Sequence, residues 1–194
     1  MYSRRMSTPD RLIEATQELL WERGYVGTSP KAIQQRAGAG QGSMYHHFAG
    51  KPDLALTAVL RTSAEMRETA GRLLDGPGTA VERISAYLLR ERDVLKGCPV
   101  GRLTMDPDVV SSEALRAPVE ETLGWLRGRL AEIVQEGLDE GEFSPGIVPG
   151  EIAAAVVATV QGGYVLARAS GSTAAFDAGV RGLLSLLVRH TDQA

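Results

Sequence analysis

Residues 24–54 read Gly24-Tyr-Val-Gly-Thr-Ser-Pro-Lys-Ala-Ile-Gln-Gln-Arg-Ala-Gly-Ala-Gly-Gln-Gly-Ser-Met-Tyr-His-His-Phe-Ala-Gly-Lys-Pro-Asp-Leu54. Ser29-Pro30 pairs an N-cap residue with proline at the first helical position, so a short helix starts there and runs to about Ala37. Ala37-Gly38-Ala39-Gly40 is a tight break, and a second short helix runs from Gln41 to Phe48. Gly50-Lys51-Pro52 breaks the chain again, and Pro52 opens a longer helix toward Leu74. Helices of two turns are marginal alone in water, so these two must pack on a neighbour and on each other. Two short helices joined by a glycine-containing turn make a helix-turn-helix, whose second helix can enter the DNA major groove.

Helix geometry assigns the faces. Met44 and Phe48 are four apart and share the inward face. At ~100° per residue, Gly42, Ser43 and His46 then point outward, with Tyr45 and His47 at the flanks. That face is small and polar and carries no acid. Ser43 can bond a phosphate or a base edge, and Tyr45 can donate to a phosphate. Lys51 stands at the start of the next helix, where its charge and the unpaired backbone N–H groups can hold a phosphate together; Thr28 and Ser29 open the preceding helix in the same way. His46-His47 suggests a metal, but adjacent helix positions diverge by ~100°, so no metal is expected. Gly38-x-Gly40-x-Gly42 lacks the preceding strand and the Lys-Ser/Thr ending of a nucleotide loop. Arg4 and Arg5 read either as a minor-groove arm or as a plain tail.

Upstream, Thr8 as N-cap and Pro9 start a helix carrying Leu12, Ile13, Leu19 and Leu20, and Gly24 stops it. Downstream, Asp75-Gly76-Pro77-Gly78 is the strongest linker signal. Thr79 caps a helix with Val81, Ile84, Leu88 and Leu95 on one side, ending at Gly97-Cys98-Pro99. A helix over about 100–110 contains Pro107. Glu113 to Glu140 reads as one long helix, with Pro118 near its true start. After a loop to Gly150, two helices span about 150–169 and 173–190. The expectation is nine helices and no sheet: an all-α chain with a helix-turn-helix domain over residues 1–51, and a larger helical domain over 52–194 reached through the 52–74 helix.

Composition bounds the function. The 194 residues carry 21 Lys plus Arg against 24 Asp plus Glu, a net charge of −3. That value alone points away from nucleic acid. Over residues 1–60, however, seven basic side chains face five acidic ones, whereas the remainder carries 14 and 19. Between Gly24 and Pro52, Lys31, Arg36 and Lys51 stand with no acid at all. Three charges are few enough for chance; charge asymmetry of this kind is equally the mark of an acidic partner. A hydrophobic content of 43% allows a sizeable core. Cys98, the single cysteine, excludes an intrachain disulfide and reads as a packed small hydrophobe in a reducing compartment. No apolar run follows Met1-Tyr2-Ser3-Arg4-Arg5, so no signal peptide is expected, and the apolar stretch Ile152–Ala167 is shorter than the ~20 residues of a membrane span. The expected location is the cytoplasm.

Residues 9–60 closely resemble the DNA-binding signature of TetR-family transcriptional regulators. Its elements stand as Gly24-Tyr25, Thr28-Ser29, Ile33, Ala37-Gly38, Ser43-Met44-Tyr45, His47-Phe48, Lys51 and Leu54. The resemblance implies that Gln41, Gly42, Ser43, Tyr45, His46 and His47 face DNA, and that Thr28, Lys31 and Lys51 contact phosphates. Gly40 departs from the pattern, which has Ser or Thr as the recognition-helix cap. Gly97-Cys98-Pro99-Val100-Gly101-Arg102-Leu103 is similar to a segment of the LmrA/YxaF-like branch.

One helix-turn-helix reads too few base pairs alone, so a two-fold dimer on a palindromic operator is expected. The last two helices are apolar on more than one face, Val188 included, and Gly162 and Gly163 permit close approach. Ile152, Val156, Gly163, Leu183 and Leu187 are therefore candidate interface residues, with the monomer core as their other reading. The central helices should enclose an effector pocket, with Met66, Tyr87, Met105, Trp125, Gln161 and Tyr164 as candidate lining. The function expected is a ligand-responsive dimeric regulator, a repressor released from DNA by a small apolar or aromatic effector as the 52–74 helix swings the head. Neither a cofactor nor a catalytic residue is expected. The alternative is an all-helical dimeric small-molecule-binding protein or enzyme without DNA binding.

Overall fold

Helix start and stop signals set most of the architecture. A computed structural model describes residues 6–191, with side chains up to Leu187; Arg4, Arg5 and the side chain of Val188 lie outside the described residues. Within that range there are nine α-helices and no strand: α1 Thr8–Arg23, α2 Pro30–Ala37, α3 Gln41–His47, α4 Lys51–Leu74, α5 Ala80–Leu89, α6 Pro107–Ser111, α7 Glu113–Asp139, α8 Pro149–Ser170 and α9 Ala174–Thr191.

Ser7, not Thr8, caps α1: its side chain accepts from the Asp10 N–H, and its own hydroxyl donates to the Asp10 carboxylate. Ser29 caps α2 by accepting from the Ala32 N–H. Thr79 and Glu82 close a reciprocal capping box at α5. The helix expected to run on to Gly97 stops at Leu89. The Arg92 guanidinium folds back to donate to the carbonyls of Tyr87 and Leu88, filling the acceptors that a further turn would have used. The 100–110 segment is also two pieces, a 3₁₀ turn over Gly101–Met105 and then α6, because Asp106 caps a new helix with Pro107 at its first position. Pro118 lies inside α7, which starts earlier, at Glu113.

The residues fall into two compact units. One comprises residues up to Ala64 together with Pro99–Glu120; the other comprises Glu65–Cys98 and Glu121 onward. The boundary therefore differs from the one expected after residue 51: the head also takes up the first half of α4 and a segment from the middle of the chain. Asp106 ties that segment in. Its Oδ2 accepts from the Val26 N–H at 2.9 Å, and its Oδ1 accepts from the Asp108 N–H at 3.2 Å. Leu12, Leu19, Ile33, Met44, Phe48 and Leu54 form the head's core.

In the second unit, α8 packs on α9 and α9 on α5. Gly163 is buried where a Cβ would lie 2.7 Å from the Phe176 ring, and that ring meets Tyr164 at 5.1 Å. Cys98 is buried. With 22 residues, α8 is by length and composition long enough to cross a membrane, longer than the apolar stretch counted in the sequence. Its face of Ala153, Val156, Val160, Gly163 and Ala167 is buried within the unit.

Candidate nucleic-acid interface and effector cleft

The turn between α2 and α3 depends on Gly38. It sits at φ 59°, ψ 38°, where a Cβ is strained, and the chain reverses through Ala39 N–H donating to the Gln34 carbonyl at 3.0 Å. Gly40 caps α3 in extended geometry with no side-chain bond. A Cβ there meets no atom within 4 Å. Gly40→Ser is therefore expected to stabilise the head by a few tenths of a kcal/mol in a denaturant titration. A loss of stability would show that the bare backbone is required.

α3 turns Met44 inward as its spacing predicts, whereas Ser43, expected outward, is partly covered. Met44 is fully buried, and the Gln34 amide approaches its sulfur at 3.5 Å. Gln41, Gly42, Tyr45, His46 and His47 are exposed, and Ser43 is half-buried. The His46 and His47 rings meet edge-on at 4.8 Å, and no group of three metal-ligating side chains gathers among the described residues. Ser29, which caps α2, and Lys31 near its start are exposed as well.

Two positions, Thr28 and Arg36, behave differently from their sequence reading, and Lys51 is partly covered. Thr28 is 1% exposed and donates its hydroxyl to the Gly24 carbonyl at 2.7 Å, so its side chain closes the α1–α2 loop instead of offering a phosphate contact. Arg36 is held by Glu22 and Glu18 of α1 at 2.8 and 2.9 Å, which raises its pKa and uses its charge within the head. Lys51 is half-buried, with its Nζ 3.9 Å above the Tyr25 ring. Burial lowers its pKa, opposed by Asp108 and Asp106, while burial and the same two carboxylates raise that of Tyr25. The free basic surface of the head is thus narrower than a count of charges suggests.

The second unit holds a narrow cleft with about 10 Å³ of room inside, within about 260 Å³ of space that includes open solvent. Met66, Tyr87 and Trp125 line it, as the sequence suggested, with Ala70, Leu123 and Leu126. Arg67 and Arg90 line it too; neither was foreseen. Met105 is 82% exposed and belongs to the other unit. Gln161 and Tyr164 are not among the lining residues, and Tyr164 stacks on Phe176 instead. Burial raises the pKa of Tyr87 against the pull of Arg90 and Arg92.

Of the candidate dimer residues, Val156, Gly163 and Leu187 are buried within their own unit, and Ile152 and Leu183 are half-buried. Among the described residues, the large apolar side chains exposed on the same helices are Val165 at 62%, Leu166 at 56% and Leu186 at 60%.

A short helix with an exposed, acid-free face, set on a second one by a left-handed glycine turn, defines a helix-turn-helix DNA-binding protein. Comparison with known proteins gives the family. A model described as bacterial regulatory proteins, tetR family, matches residues 12–58, and one described as tetracyclin repressor-like, C-terminal domain, matches residues 78–183. The chain belongs to the TetR family of transcriptional regulators; it is a regulator and not an enzyme. The HTH-type transcriptional regulator LmrA of Bacillus subtilis is 26% identical over 164 residues, 81% of this chain and 84% of that one. A TetR-family regulator from Cytophaga hutchinsonii shares the fold with a TM-score of 0.83 at 23% identity, covering 97% of this chain and 98% of the other. CifR, a TetR-family regulator solved as a cysteine mutant with a 26-base-pair double-strand operator, shares it with a TM-score of 0.76 at 22% identity, covering 91% and 94%.

Proposed function

We propose that this regulator is a cytoplasmic homodimeric repressor. It holds a palindromic operator through α3 of each protomer and releases it when a small, largely apolar effector enters the α4–α5–α7 cleft. The observation that carries the reading is the outward face of α3: Gln41, Gly42, Tyr45, His46 and His47 lie exposed on a helix that its buried face anchors through Met44. Ser43 and Ser29 add hydroxyls, and Lys31 and Lys51 add charge for phosphates. CifR, with the same fold, is seen on operator DNA.

Dimerisation uses the outer face of α8 and α9. Ala154, Ala155, Ala158, Gly162, Val165, Leu166 and Ala169 recur at helical spacing and are exposed. With Leu186 they form the small-residue, apolar stripe that close helix packing needs. Release follows if the effector binds the DNA-incompetent conformer more tightly than the competent one. α4 is the element suited to couple the two events, because Leu54, Ala55 and Ala58 of its first half are buried in the head and Met66, Arg67 and Ala70 of its second half line the cleft.

Selection of binding sites from random duplexes tests the reading. The enriched sequence is expected to be an inverted repeat with half-site centres ~10 base pairs, or a multiple of that, apart. Leu166→Glu with Leu186→Glu should give a monomer by sedimentation and lose that enrichment. No enrichment from folded wild-type protein, or a single asymmetric site, rejects it.

A further inference from the structure

The cleft carries more charge chemistry than an apolar effector needs. Its walls are apolar, from Met66, Leu123, Trp125 and Leu126, yet two arginines, Arg67 and Arg90, are among the lining residues, and no acid is. The Nε atoms of Arg67 and Arg90 are both buried, and among the described residues neither has a hydrogen-bond partner. A buried N–H left unpaired is destabilising, more so when the group is charged, so both positions favour an incoming acceptor. The partners these side chains do have leave the Nε atoms open. Arg67 reaches Thr122 Oγ1 at 3.5 Å and the exposed Glu121 at 3.9 Å through its terminal nitrogen. Arg90 lies over the Tyr87 ring at 5.1 Å.

We propose that the effector is a monoanionic amphipath, an apolar or aromatic body bearing one carboxylate that accepts from the Nε–H groups of Arg67 and Arg90. This rests on the ligand-released regulator described above and names the ligand class for that site. Guanidinium–carboxylate bonds are charge-assisted and stronger than neutral ones, and in a partly closed cleft they are poorly screened. The body of the ligand lies against Trp125, Met66 and Leu126. The room inside the cleft is about 10 Å³, that of one water-sized sphere, so a ligand of ordinary size enters only when the walls part. Met66 and Leu123, both half-buried, are the walls that can move outward. The filled and empty conformers must then differ, which is the property a ligand-released regulator requires.

The test titrates full-length protein with 4-phenylbutyrate and decanoate, and with 4-phenylbutanol and 4-phenylbutylamine as neutral and cationic counterparts. Calorimetry reads affinity, and fluorescence anisotropy of labelled operator reads release. The carboxylates are expected to bind at least about tenfold more tightly than the alcohol, and the amine least. Arg67→Met and Arg90→Met keep the length of the stem and remove the donors. Each should lower carboxylate affinity about tenfold or more while leaving alcohol affinity unchanged. Arg67→Lys and Arg90→Lys keep the charge without the planar donor, and melting curves check that all four variants fold. Equal binding of acid and alcohol, tighter binding of the amine, carboxylate affinity unmoved by both Met variants, or no binding of any probe overturns the anionic assignment. Carboxylates that bind as expected but never release the operator overturn the release reading instead.

Discussion

Met44→Ala is expected to cost the head about 2–5 kcal/mol of stability and to abolish operator binding with it. Met44 is fully buried on α3, in a core built with Leu12, Ile33 and Phe48. α3 has only seven residues, too few to persist in water without that packing. Truncation leaves a cavity between α3 and the other head helices, and the DNA-facing side chains lose the anchor that aims them. Urea unfolding and operator titration of the same sample read both effects. Met44→Leu preserves volume and should cost less than ~1.5 kcal/mol while retaining binding. If the alanine variant lost less than ~1 kcal/mol and still bound, contacts other than this core would be holding the recognition helix.

The pattern of success and failure in the sequence follows from how local each signal is. Ser29-Pro30, Gly24, Gly38 and Thr79 act within one turn of their own position, and each starts or stops a helix where its chemistry says it should. The inward placement of Met44 and Phe48 is also local, since it needs only the helical period and the knowledge that something covers one side. Features set by where a side chain folds, near or far along the chain, were not legible. Arg92 ends α5 early because a guanidinium reaches back to carbonyls, where the apolar spacing out to Leu95 suggested more helix. Arg36 belongs to a run without acids, yet it pairs with Glu18 and Glu22, which sit on α1. Thr28 fits a phosphate-contacting position in the signature, but its hydroxyl is used by Gly24. Asp106 returns from the middle of the chain to bond Val26, and no windowed reading of composition reveals that. The cleft divides in the same way: Met66, Tyr87 and Trp125 were visible as large adaptable side chains. Nothing in the sequence distinguishes Arg67 and Arg90 from the chain's other arginines, and only packing shows their Nε atoms enclosed.

Lys51→Ala and Tyr45→Phe should together weaken operator binding by about 1–3 kcal/mol, and their salt dependences should separate them. Each phosphate neutralised by a cation contributes about −0.9 to the slope of log affinity against log salt. With two protomers on one operator, Lys51→Ala should therefore make the slope shallower by about two units. Tyr45→Phe removes a neutral donor and releases no counterion, so it should lower affinity at every salt concentration and leave the slope alone. The small number of basic groups sharpens this contrast. With Arg36 held by two carboxylates, Lys31 and Lys51 are the lysines of the 24–52 stretch, and Lys51 is already placed, its Nζ resting 3.9 Å above Tyr25. An ammonium held on a ring face at the first residue of α4 has lost little further freedom by meeting a phosphate, whereas an exposed lysine must first be ordered. Removing Lys51 should accordingly cost more affinity than removing the exposed Lys31, although the two change the slope equally. A slope unmoved by Lys51→Ala would mean that this charge serves only the Tyr25 contact inside the head, and that Lys31 and the backbone N–H groups at the helix starts carry the phosphates.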